Sequence, residues 1–167
     1  MAGVEIPITS WKSNDEENRK EEAKQWSKLL GRRPRLLVVE DDRGILEAVG
    51  DWFDLYGWKV EGATDGSAFF NLVESMISGR NEQRRFDAII TDISMPGLDV
   101  MAILEGLRVA ECGLPIVVIS ALPDRNLPRR VQQLGRAKFF RKPFVLSKVH
   151  QAVGHLLMCT LDDRTIH

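Results

Sequence analysis

Cysteine is scarce in this chain, with only Cys112 and Cys159 among 167 residues. Their spacing forms no pair, which argues against a disulfide-built fold; both are read as reduced, partly buried thiols. The three histidines, His150, His155 and His167, share no ligand spacing with them, so zinc is disfavoured. An excess of one charge is also missing. The formal net charge of −1 gives no global pull toward nucleic acid. No apolar run approaches the roughly 18 residues of a membrane span. The stretch Met1 to Ser10 lacks a basic region followed by an apolar one, as a secretory signal would require. A cytoplasmic location is the resulting expectation. There are no internal repeats, and no G-x-x-x-x-G-K-[ST] loop to cradle a nucleotide's phosphates.

What is present is a 44% hydrophobic composition, enough for a real core, in a length that suits one domain plus an extra segment. Residues 1–34 read as a charged extension. Ser13 followed by Glu16 forms a capping-box pattern, and Ala23, Trp26 and Leu30 share one helical face. Gly31 suits the end of that helix, which is expected over about 14–30. From Arg35 the pattern becomes alternating. Short apolar runs (Leu36 to Val39, Trp58 to Val60, Ala88 to Ile90, Ile116 to Ile119, Ala137 to Phe140) read as strands, the purely apolar ones as strands buried on both faces. Between them, apolar residues recur at helical spacing, as in Ile45, Val49, Trp52 and Tyr56. Five strands alternating with five helices predict a parallel sheet covered on both sides, in an α/β fold over residues 35–158. Residues 159–167 are left as a tail.

The ends of those strands carry the chemistry. The first run ends in Glu40-Asp41-Asp42, the third in Asp92, the fourth in Ser120, and the fifth leads into Lys142-Pro143, a bond able to be cis. A parallel sheet gathers these ends on one edge, where open α/β sheets bind ligands. Crowded carboxylates repel one another unless a cation neutralises them. Oxygen ligands of this kind suit Mg²⁺. Lys142 and Ser120 add donors for an incoming anion. A phosphoryl group on Asp92, next to the metal, would satisfy both halves, because phosphoryl transfer mainly requires positioning and charge neutralisation. Each residue alone reads equally well as an ordinary strand stop, turn or helix cap. Their joint occurrence carries the argument.

Over about Arg35 to Leu157 the sequence closely resembles the response-regulator receiver family. The resemblance rests on Leu-Val-Val-Glu40-Asp41-Asp42, Ile90-Thr91-Asp92-Ile93-Ser94-Met95-Pro96-Gly97, Val118-Ile119-Ser120-Ala121 and Arg141-Lys142-Pro143-Phe144, in that order. It implies a flavodoxin-like sheet of order 2-1-3-4-5 and Asp92 as phosphoacceptor. Glu40 and Asp41 would serve the metal, Mg²⁺ or Mn²⁺, with Asp41 the more direct ligand and Asp42 an onlooker. The Ser94 main-chain carbonyl would complete the protein's share of the shell. Ser120 would bind a phosphoryl oxygen, Lys142 would pair with the phosphoryl group, and Phe139 would be the aromatic switch position. The donor would be a phosphohistidine on a sensor histidine kinase or phosphotransfer protein. Ser94 and Leu122 match positions that influence attack by water. Leu122 cannot orient a water by hydrogen bonding, so slow self-dephosphorylation is expected.

Two departures stand out. Residues 79–85 lengthen the loop before the third strand, and Val100 replaces a glycine common after Met-Pro-Gly. The chain ends soon after the last helix, so output through a protein partner or phosphorelay, by a stand-alone regulator, is expected. From Asp124 to His150, eight basic residues face one acid. That imbalance predicts an acidic partner. The acids of the N-terminal helix (Asp15, Glu16, Glu17, Glu21 and Glu22) are one internal candidate; a homodimer through Trp26 and Leu30 is the rival. Among other functions, an aspartate-nucleophile phosphatase of the haloacid dehalogenase type would want a second Asp where Ser94 stands. An FMN carrier's phosphate would be repelled by Glu40-Asp41-Asp42. A receiver acting only as an interaction module, without phosphorylation, is the remaining alternative. DNA binding through the basic stretch lacks a recognition motif.

Overall fold

Strands that alternate side chains between two apolar faces need cover on both. The structure, a computed structural model, describes residues 4–5, 13–79, 85–110 and 113–165. Its central sheet has five parallel strands: β2 (Arg35–Val39), β3 (Lys59–Ala63), β4 (Ala88–Asp92), β5 (Ile116–Ser120) and β6 (Ala137–Arg141). Their spatial order is β3-β2-β4-β5-β6, which is 2-1-3-4-5 counted from the first central strand, as expected. Along β2, Leu36 and Val38 enter one core layer while Leu37 and Val39 enter the other. Ala88 and Ile90 against Ile89, and Val117 and Ile119 against Ile116 and Val118, divide in the same way.

The helices are α1 (Ser13–Leu30), α2 (Arg43–Leu55), α3 (Gly66–Ile77), α4 (Val100–Val109), α5 (Leu127–Gln133) and α6 (Leu146–Thr165). Three of them open on an aspartate cap: Asp42 accepts the Ile45 N–H, Asp65 the Ala68 N–H, and Asp99 the Ala102 N–H. Such caps satisfy amide donors that the first turn leaves without partners. The glycine replaced by Val100 leaves no irregularity, since α4 begins there with Val100 buried.

α1 is not a loose appendage. Its Trp26 is 5% exposed and meets Trp58 edge to face, with ring centroids 5.8 Å apart. It joins the layer formed by Phe53 of α2 and Val149, Ala152 and Val153 of α6. Glu22 accepts from Trp26 Nε1 at 3.0 Å and lies 2.8 Å from His150 Nε2 of α6. Arg32 holds Asp87 with two hydrogen bonds, at 2.8 and 2.9 Å.

Several expectations are corrected here. α1 docks through Trp26 and Glu22, not by laying its acids on the basic stretch. Glu16 and Glu21 pair with Lys20 and Lys24 of their own helix. Among the described residues, no ion pair joins α1 to Arg125, Arg129, Lys138 or Lys148. Trp26 is buried within the chain and half-buried Leu30 packs against the same layer, so the pair does not present the exposed apolar face that the dimer contact expected from them requires. Residues 159–165 continue α6 and are not a tail. Cys159 is exposed; Cys112 lies outside the described residues, as does most of the lengthened loop (80–84). Two short strands were not anticipated: β1 (Val4–Glu5) pairs in parallel with β7 (Phe144–Val145). Among the described residues, no helix is long and apolar enough to cross a membrane.

Candidate phosphoacceptor site

Register decides which polar groups meet. Val39 lies level with Thr91, Asp92 with Ile119, and Ser120 with Arg141. The residues just beyond these positions therefore gather at the carboxyl edge of the sheet. Glu40 and Asp92 are buried there, 3% and 4% exposed, while Asp41 is open to solvent. Carboxylate oxygens of Glu40, Asp41 and Asp92 all lie within 4.8 Å of one another.

Lys142 closes the group. The peptide bond that follows it, Lys142-Pro143, is cis. Its Nζ donates to Asp92 Oδ2 at 2.6 Å and to Glu40 Oε2 at 2.8 Å. Burial works to lower the Lys142 pKa, but hydrogen bonds to Asp92 and Glu40 outweigh it and hold the ammonium above its ordinary value. Burial pushes the Glu40 carboxyl up, and Lys142 only partly offsets that. The other Asp92 oxygen, Oδ1, accepts the Ser94 N–H at 2.6 Å. Asp92 is thus gripped at both oxygens. Thr91, fully buried, donates its hydroxyl to the Asp92 carbonyl at 2.8 Å and steadies the strand end.

Ser120 is buried, its Oγ 3.3 Å from Ser94 Oγ, and it accepts the Leu122 N–H at 3.0 Å. Phe139 is half-buried against the layer that contains Val118 and Val131. Asp42 turns away as the α2 cap, with its own N–H on Glu40 Oε1 at 3.2 Å. The residues singled out from sequence, Glu40, Asp41, Asp92, Ser94, Ser120 and Lys142, are therefore brought together.

The donor set is all oxygen, with three carboxylates against one ammonium. That excess of negative charge fits a hard divalent cation such as Mg²⁺. Sequence reasoning missed Arg141 as anything but a surface charge. Its partners, the Leu122 carbonyl and the Phe139 ring, are not legible without the β5–β6 register.

Residues 36–154 match the family model described as response regulator receiver domain. The chain belongs to that family. Receiver domains are phosphoacceptor signalling domains, taking phosphoryl groups from histidine kinases or phosphotransfer proteins. This receiver is 34% identical over 125 residues to the transcriptional regulatory protein PrrA of Mycobacterium leprae, covering 74% of this chain and 50% of that protein. The chain thus spans about half the length of the first curated relatives it matches. It is 24% identical to sporulation initiation phosphotransferase F of Bacillus subtilis, over 74% of this chain and 93% of that one. Among solved structures, the receiver domain of the Francisella response regulator 1452 aligns with TM-score 0.66 and 26% identity, over 77% of this chain and 99% of its own. CheY4 of Vibrio cholerae shares the fold, with TM-score 0.59 and 21% identity, over 74% and 98% of the two chains.

Proposed function

We propose that Asp92 accepts a phosphoryl group from a phosphohistidine on a partner histidine kinase or phosphotransfer protein. The observation that carries this reading is the double grip of Lys142 on Glu40 and Asp92, inside a cluster of three carboxylates. An Asp92 oxygen attacks phosphorus in line; an O–P bond forms, the P–N bond breaks, and imidazole leaves with the electron pair. Lys142 already touches Asp92 and stays with the new anion as its counter-charge. Ser120 turns its hydroxyl to a phosphoryl oxygen. Glu40, Asp41, Asp92 and the Ser94 carbonyl would hold Mg²⁺ or Mn²⁺, which supplies charge neutralisation for the transferred group. The phosphoryl event is local, and Ser120 and Phe139 carry it outward.

Output passes to a protein partner. Arg125, Arg129, Lys138 and Lys148 are exposed on and around α5, β6 and α6, which supports an acidic one. The alternative of a receiver that acts without phosphorylation leaves the grip of Lys142 on Asp92 without a use.

Incubation with Mg²⁺ and a small acyl phosphate, followed by intact mass, tests the proposal. Wild type should gain one phosphoryl group and Asp92→Asn none. An unlabelled wild type, or a variant labelled to the same extent, overturns it.

A further inference from the structure

Ser120 and Phe139 are joined by a route that runs through Arg141. The Ser120 Oγ accepts the Leu122 N–H at 3.0 Å, and the Leu122 carbonyl accepts Arg141 Nη1 at 3.0 Å. Arg141 stands opposite Ser120 in the β5–β6 ladder. Its guanidinium carbon lies 5.8 Å from the centre of the Phe139 ring. Phe139 and Arg141 are two residues apart on one strand, so their side chains leave the same face of the sheet. Among the described residues Arg141 has no acidic partner; the carbonyl and the ring are what hold it.

We propose that Arg141 is a positioning residue: it holds the loop after β5 in its resting place through the Leu122 carbonyl and ties that loop to Phe139. The proposal rests on the reading of Asp92 as phosphoacceptor. A Ser120 hydroxyl that donates to a new anion on Asp92 has to turn or shift. Doing so drags the Leu122 N–H along or releases it. Either movement strains the hydrogen bond from Arg141, and charge-assisted bonds are stronger than neutral ones. Arg141 therefore opposes the rearrangement until the bonds of the anion outweigh it. When the Leu122 carbonyl leaves, the guanidinium loses one of its two contacts and rests on the Phe139 ring alone, so the loop is no longer tied to Phe139.

A ligand that needs the rearranged state binds more weakly in proportion to how rarely that state is populated. Arg141 is exposed, so its hold is modest, worth about three- to tenfold in that population. The test uses the full chain as wild type, Arg141→Gln and Arg141→Lys. The probe is beryllofluoride with Mg²⁺, a stable stand-in for a phosphoryl group on a carboxylate. Two quantities are read: the apparent affinity for the probe and, without probe, the hydrogen-exchange rate of the Leu122 amide. Arg141→Gln should bind the probe about three- to tenfold more tightly and exchange the Leu122 amide faster. Arg141→Lys, which keeps a cationic donor but not the flat guanidinium, should fall between. A merely structural role would not tighten binding. Unchanged or weaker binding in Arg141→Gln overturns the proposal, and so does a wild-type exchange rate at Leu122. Failure of the wild type to take up the probe at all would instead sink the phosphoacceptor reading, and the unliganded exchange rate would then decide the hold of Arg141.

Discussion

At the carboxyl edge of the sheet, three carboxylates crowd around Lys142, and burial pushes the Glu40 carboxyl above its ordinary value. Between α2 and α6, in contrast, Trp26 lies against Trp58 and Gly154, and the Glu22 carboxyl, 2.8 Å from His150 Nε2, finishes the contact. The first region concentrates like charge around one ammonium. The second buries apolar surface and carries no chemistry. The difference teaches where each kind of damage should appear: change at the edge should abolish function with little loss of stability, and change beneath α1 should do the reverse.

The strongest way to break that contrast is Asp92→Asn. It should eliminate phosphoryl uptake while leaving thermal stability unchanged or slightly raised, because it removes a like charge beside Glu40. A clear drop in melting temperature would mean that the edge also bears structural load. Next is Trp26→Ala, which should cost about 3–5 kcal/mol in denaturant unfolding. Uptake from a small acyl phosphate should stay near wild type wherever the variant remains folded. Leu122→Glu comes third. It should shorten the acyl-phosphate half-life, by less than the roughly 100-fold that a well-placed general base supplies. A half-life equal to wild type would overturn the expectation that Leu122 slows hydrolysis.

The smallest effect concerns acid. Burial pushes Glu22 up, but hydrogen bonds from His150 and Trp26 outweigh it and hold the carboxyl below its ordinary 4.5. Stability from a lowered carboxylate is present above its unfolded value and is lost as pH falls through the folded one. Glu40, raised, has the opposite sign: its contribution is present below 4.5 and is lost as pH rises through the higher folded value. Below about pH 4.5, then, the α1 contact should weaken while the edge is relieved. Tryptophan fluorescence during acid titration should show this loss in wild type and a flatter curve in Glu22→Gln.

The edge was largely legible in the sequence because its residues follow short apolar runs. Leu36 to Val39 stop at Glu40, and Ala88 to Ile90 are soon followed by Asp92; a parallel sheet gathers such ends without further information. The seat of α1 was not legible. Trp26 showed its helical face, but nothing in residues 13–30 names Trp58, Gly154 or His150 as the surface beneath it. Charge counting pointed instead to the basic stretch, and exposed ion pairs are too weak to decide where a helix docks. The role of Arg141 was hidden for a related reason, since its partners depend on a register that only the folded sheet supplies.

Gly57 carries one more consequence. Its φ is +83°, and a Cβ placed there would fall 2.5 Å from the Cβ of Ala23 in α1. The turn and the helix are thus fitted to each other at the level of a single methyl group, although the family match begins only at residue 36. In recombination terms, a crossover at Pro34 would transplant the signalling site intact but leave an apolar scar where α1 had been. A module exchanged with its neighbours would have to be cut before Ser13.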